Sequence, residues 1–177
     1  MKTRMKLITI LAMALSATTA TTASAQSHLV NFGSGLCLEP VAQNGNYWLN
    51  GLPIMQNTCR SGDSSQRWSL EFVKVVSGFN YYHIVNLASG MCLDDRDGNT
   101  ADRAPVQQWT CNNTSTTMQW TQGRNVNSYV VLYNLRSSKC LDVPGGWSTP
   151  GLQLQLYRCT NTASVINTAQ LFGWFGS

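Results

Sequence analysis

An all-β fold built from three equivalent units is predicted by three observations on the sequence. One pattern recurs three times: an Asn, a Cys six residues later, and an acid two residues after that Cys. It stands at Asn31, Cys37 and Glu39, at Asn86, Cys92 and Asp94, and at Asn134, Cys140 and Asp142. Each unit then carries a second Cys (Cys59, Cys111, Cys159) and closes on an aromatic at Trp68, Trp120 and Phe172, in steps of 52 and 52 residues. The intervening segments are short β-branched and aromatic runs without a sustained 3.6-residue period. A fixed period of this length marks a repeat architecture. Propellers need about four or more blades, so three units closing on a pseudo-threefold axis predict a β-trefoil, with repeats at about 28–75, 76–125 and 126–177.

The N-terminal segment reads as an export leader. Lys2, Arg4 and Lys6 precede a short apolar run over 7–15, and a Thr/Ala-rich stretch ends in Ala23-Ser24-Ala25, a small-residue cleavage signal. The apolar run is shorter than the roughly 20 residues a spanning helix needs, and no later segment is apolar enough to cross a membrane. Cleavage after Ala25 leaves residues 26–177 as one secreted domain, 152 residues long. It also leaves nine basic residues against eight acids, so the formal charge falls from +4 to +1. No basic cluster remains to follow a phosphate backbone, which argues against nucleic acid as a partner.

In the mature chain, residues 81–87, 106–109 and 129–135 read as strands bounded by Gly, Asn, Ser and Pro. Gly33-Ser34-Gly35, Ala88-Ser89-Gly90 and Arg136-Ser137-Ser138 occupy equivalent places and read as turns. Trp68, Trp120 and Phe172 are expected in the core. Six Cys in an exported chain read as disulfides. The repeat selects the pairing with one bridge per unit: Cys37–Cys59, Cys92–Cys111 and Cys140–Cys159, with similar steps of 22, 19 and 19 residues. A zinc site is not indicated, since no CxxC occurs and His28 and His83 lie outside the Cys pattern.

A Cys-Leu-Asp triplet, then Gln-x-aromatic-x-Cys, then Gln-x-Trp resembles the ricin B-type lectin domain, the QxW repeat, over about residues 28–175. The resemblance implies a β-trefoil that binds carbohydrate, often galactose-like sugars, at up to three shallow pockets. In that family the acid after the first Cys accepts bonds from sugar hydroxyls. The aromatic two residues before the second Cys stacks on the sugar, and the Gln four before that Cys, with an Asn just ahead of the QxW Gln, completes the pocket. Carried over, the second repeat offers Asp94, Gln107 and Trp109, and the third Asp142, Gln155 and Tyr157. The first offers Glu39 but has Met55 and Asn57 in place of the Gln and the aromatic. Trp48, in a loop three residues longer, is a substitute platform there, and Trp147 is expected on an exposed loop beside the third pocket.

The chemistry supports the same selection. A neutral pyranose presents a ring of hydroxyls and one apolar C–H face, so its site needs a carboxylate acceptor, an amide and a flat apolar platform. The second and third repeats supply all three. The chain also departs from the family pattern. The QxW Gln is present as Gln66 and Gln170 but is Met118 in the second repeat, and the Asn ahead of it is Ser65, Thr117 and Ala169. Asn112, Asn113 and Asn167 are candidates to supply the missing amide.

Other functions are less well supported. Asp94-Asp95-Arg96-Asp97-Gly98-Asn99 lacks the ligand spacing and closing Glu of a calcium loop, and neither metal nor cofactor is expected. Asn112-Asn113-Thr114-Ser115 holds overlapping glycosylation sequons, meaningful only in a host that glycosylates exported proteins. No Ser/His or Cys/His dyad suggests an enzyme, and acids at repeat-equivalent positions suit duplicated binding better than one catalytic centre. The expectation is a secreted, non-enzymatic lectin whose partners are glycans. The alternative is a glycan-targeting subunit serving a separate catalytic chain.

Overall fold

The computed structural model describes residues 26–176. The leader expected over residues 1–25 lies outside the described residues.

Six strands close into a barrel. They are β1 (Ser27–Asn31), β4 (Arg67–Val76), β5 (Phe79–Asn86), β8 (Trp120–Val126), β9 (Tyr129–Asn134) and β13 (Phe172–Phe175). Antiparallel pairing runs β1–β4–β5–β8–β9–β13 and returns to β1, so the ring has no free edge. Each repeat adds a hairpin: β2 (Cys37–Pro40) with β3 (Ile54–Asn57), β6 (Cys92–Asp95) with β7 (Ala104–Trp109), and β10 (Cys140–Asp142) with β12 (Gln155–Tyr157). The short β11 (Leu152–Gln153) joins the third hairpin to β3, and β12 pairs with β7. This is the β-trefoil that the repeat predicts. The described helical segments are single 3-10 turns, and no described helix is long and apolar enough to cross a membrane.

Threefold sets of side chains fill the interior. Leu29, Ile84 and Leu132, then Leu38, Leu93 and Leu141, then Ile54, Val106 and Leu154 are all fully buried. Trp68, Trp120 and Phe172 join the same core. Each indole also satisfies a buried carbonyl: Trp68 Nε1 donates to the Leu38 oxygen and Trp120 Nε1 to the Leu93 oxygen, both at 2.9 Å.

The repeated Asn stitches one unit to the one before it. Asn86 Nδ2 donates to the Ser65 carbonyl at 2.7 Å and Asn134 Nδ2 to the Thr117 carbonyl at 2.6 Å, while Asn31 Nδ2 reaches the Ala169 and Leu171 carbonyls. The Oδ1 of each caps the following turn, accepting from Ser34 N, Ser89 N and Ser137 N. All six Cys are bonded, as Cys37–Cys59, Cys92–Cys111 and Cys140–Cys159, the pairing selected by the repeat.

Candidate functional site

Hairpin register assembles the second-repeat residues. In the β6–β7 ladder Asp94 stands opposite Gln107 and Cys92 opposite Trp109. Successive side chains alternate faces, so Gln107 and Trp109 share the outer face while Gln108 between them is fully buried. Gln107 Nε2 donates to Asp94 Oδ2 at 2.8 Å, and Gln107 Oε1 accepts from Arg96 Nε at 2.8 Å. Trp109 is 43% exposed, so its ring faces outward rather than into the core. These groups border a cavity of about 800 Å³ together with Asn112, Asn113 and Arg136. Arg136 arrives from the third repeat.

The third repeat reproduces the arrangement. Asp142 faces Gln155 and Cys140 faces Tyr157 across β10–β12. Gln155 Nε2 donates to Asp142 Oδ1 at 2.7 Å, and Gln170 Nε2 donates to Asp142 Oδ2 at 3.1 Å. Both carboxylate oxygens are therefore held. A cavity of about 520 Å³ lies between Asp142, Gln155, Tyr157 and Asn167, with Arg103 of the second repeat at its edge. The Arg158 guanidinium carbon lies 5.3 Å from the centre of the half-buried Tyr157 ring.

Burial pushes the Asp94 and Asp142 carboxyls above the ordinary carboxylate range. Their amide partners oppose the rise: Gln107 and the nearby Thr117 hydroxyl at Asp94, and Gln155 and Gln170 at Asp142. Asp94 Oδ1 is buried and makes no hydrogen bond of ordinary geometry. The cause is the departure at Met118. Gln66 and Gln170 each accept a backbone N–H through Oε1 and donate through Nε2. Met118 Sδ accepts the equivalent Asn112 N–H at 3.1 Å but has no donor to offer.

The first repeat is filled by its own side chains. Glu39 faces Met55, and Asn57 Nδ2 donates to Glu39 Oε1 at 2.6 Å. Arg60 pairs with Glu39 on one side and, at 2.8 Å, with Asp63 on the other. Trp48, the substitute platform that the loop length suggested, is 66% exposed. Its loop is docked on the second repeat, where Gln108 Nε2 donates to the Tyr47 and Leu49 carbonyls at 2.6 and 3.0 Å. Trp147 is 67% exposed and packs its indole over Gly145, which borders the third cavity.

Of the candidate amides, Asn112 and Asn113 border the second cavity. Asn167 borders the third, but its side chain is committed to capping Ala169 N and to Thr160 Oγ1. Sequence reasoning missed Arg60, although a signal was present: Arg60 follows the second Cys where the other repeats carry Asn112 and Thr160. It also missed Asp95, fully buried where Val143 and Pro40 stand in the other repeats. Among the described residues, His83, Cys92 and Cys111 gather potential metal-ligand atoms, but the two sulfurs are bonded to each other and neither is a free thiolate.

Known structures share this architecture. A designed threefold-symmetric protein, ThreeFoil, superposes with a TM-score of 0.72 at 26% identity, covering 86% of this chain and 99% of that one. The exo-beta-1,3-galactanase 1,3Gal43A from Clostridium thermocellum gives 0.71 at 27% identity, over 87% of this chain and 30% of that one. The Rhizoctonia solani agglutinin gives 0.67 at 15% identity, over 90% and 100%, a likeness of fold. No curated protein matches the sequence. The family model for the ricin-type beta-trefoil lectin domain-like fold matches residues 66–157, more than half of the chain. The chain belongs to the ricin-type beta-trefoil lectin domain-like family.

Proposed function

We propose that this chain is a secreted, non-catalytic lectin that takes terminal galactose-like sugars in shallow pockets of the second and third repeats. One observation carries the reading: carboxylate, amide and outward aromatic come together twice, as Asp94, Gln107 and Trp109 and as Asp142, Gln155 and Tyr157. At the third equivalent place Arg60 neutralises the acid. In this reading the carboxylate accepts from sugar hydroxyls, the Gln fixes the carboxylate and offers its remaining N–H, and the aromatic covers the sugar's C–H face. Disulfides in every repeat suit an oxidising compartment.

Pockets this open recover little beyond the cost of ordering one sugar, so affinity per site is expected to be weak, with avidity from paired sites. A glycan array probed at high protein concentration tests the proposal. Galactose-terminated glycans should bind, and a densely coated surface should hold the protein far better than free monosaccharide competes for it. Equal binding to both contradicts the two-site reading.

A second reading is that the domain carries a separate catalytic chain to glycans. It is favoured by the 1,3Gal43A galactanase, in which a similar fold makes up 30% of a larger enzyme. Co-purification of the native protein with a glycoside hydrolase or toxin chain tests it.

A further inference from the structure

We infer that the second-repeat site continues onto the first repeat's loop, where Trp48 forms a second stacking platform, so that the site takes a chain of two or more sugar units. The inference rests on the lectin reading and names the ligand class for one of its sites. Trp48 is 66% exposed, a large apolar surface left in water, yet its loop is held firmly. Gln43 and Asn46 exchange backbone bonds at 3.1 and 2.9 Å, and Trp48 N donates to Asn46 Oδ1 at 2.8 Å. Val41 N closes the base of the loop on the Pro53 carbonyl at 3.0 Å, and further anchors are on the second repeat. Gln108 Nε2 donates to two of its carbonyls, Thr110 N donates to Asn50 Oδ1 at 2.7 Å, and Gly51 N donates to the Gln108 carbonyl at 2.9 Å.

Arg96 couples this loop to the site itself. Its Nε donates to Gln107 Oε1 and its Nη2 to the Gly51 carbonyl at 2.7 Å. Gly51 lies against the platform already described: a Cβ there would stand 3.8 Å from both Gln107 Oε1 and Trp109 Cζ3. Three residues of chain reach at most about 11 Å, so the Trp48 backbone lies within that distance of Gly51. Linked sugar units bridge such a gap.

Trp48 is not needed by the fold. The matching bonds from Gln56 Nε2 to the Trp147 and Thr149 carbonyls align Trp48 with Ser148, and spacing from Ile54 and Val106 aligns it with Thr100. A structural requirement of the threefold frame would recur in the other loops, and this tryptophan does not. An exposed indole on a loop pinned to the repeat that carries Trp109 suits the repeating C–H faces of an oligosaccharide. Holding the loop in place beforehand also lowers the cost of ordering it on binding.

The test uses full-length protein carrying Tyr157→Ala, so that only the second site reports. Galactose and galactobiose to galactotetraose are titrated by calorimetry, with and without Trp48→Ala, and each variant is melted. The longer sugars should bind better than galactose, and Trp48→Ala should shrink that gain by about three- to tenfold without shifting the melting temperature, as expected for loss of one stacking contact. An unchanged gain in Trp48→Ala, or no gain with length in the parent, overturns the extension while leaving the lectin reading intact. A Tyr157→Ala parent that binds none of these sugars overturns the extension and the second-repeat site together, and unmutated protein that also binds none overturns the lectin reading.

Discussion

Gln170 holds one oxygen of Asp142 from 3.1 Å, and Met118, its counterpart in the second repeat, offers no amide donor to the corresponding oxygen of Asp94, which makes no hydrogen bond of ordinary geometry. The two candidate pockets thus share a frame but differ in how firmly their carboxylates are held. Met118→Gln should supply the missing donor within a similar volume. It is expected to stabilise the domain by about 0.5–1.5 kcal/mol, as one recovered buried hydrogen bond would, and to sharpen binding at the second site. Thermal melts and sugar titration in a Tyr157→Ala background check both.

Arg60 gives a converse prediction. Its bond to Glu39 is the largest influence raising its own pKa, but its side chain is 46% exposed. Arg60→Ala should therefore cost no more than about 1 kcal/mol, and freeing Glu39 alone should create no new site, because Asn57 is no platform. Combining Arg60→Asn with Met55→Gln and Asn57→Trp should install a third pocket. Counting sugar sites by calorimetry decides this.

Asp95 predicts an unusual dependence on pH. Burial first, and then the neighbouring Asp94 charge, push its carboxyl up to about 7, against the pull of Arg136 and the Asn99 amide. Neither of its oxygens makes a hydrogen bond of ordinary geometry. A folded-state value above the unfolded one, about 3.9 for Asp, means that the folded chain binds the proton more tightly. Its contribution is fully present below about pH 4 and is lost as pH rises towards 7. Asp95→Asn should remove that loss, so the variant should gain on the parent between pH 4 and 8, by on the order of 1–3 kcal/mol at the upper end. Urea unfolding at both pH values measures it.

The fold was legible because the threefold pattern is carried by residues the frame itself needs. Asn31, Asn86 and Asn134 bond the preceding repeat, while Trp68, Trp120 and Phe172 fill the core, so their spacing reports the architecture directly. The hairpin partners of the pockets were legible for a related reason: a fixed distance to the second Cys sets the register that places Gln107 opposite Asp94 and Gln155 opposite Asp142. What crosses between repeats was not legible. Arg136 borders a pocket of the second repeat from the third, and Gln108 holds the first repeat's loop. Both depend on how units pack around the axis, which no local spacing encodes. The loop of Trp48 is an example: its length says that it extends, not which neighbour it docks on.

In the proposed function Trp109 and Tyr157 are binding platforms rather than packing residues. The direct test is galactose-terminated glycan binding and thermal melting of Trp109→Ala, Tyr157→Ala and the double variant, with Trp68→Ala as the core control. Each single variant should melt like the parent and lose one site, and the double variant should lose nearly all binding. Trp68→Ala, removing a fully buried indole, should cost about 3–5 kcal/mol of stability. A double variant that still binds as the parent does, or a Trp109→Ala that melts as low as Trp68→Ala, would contradict the account.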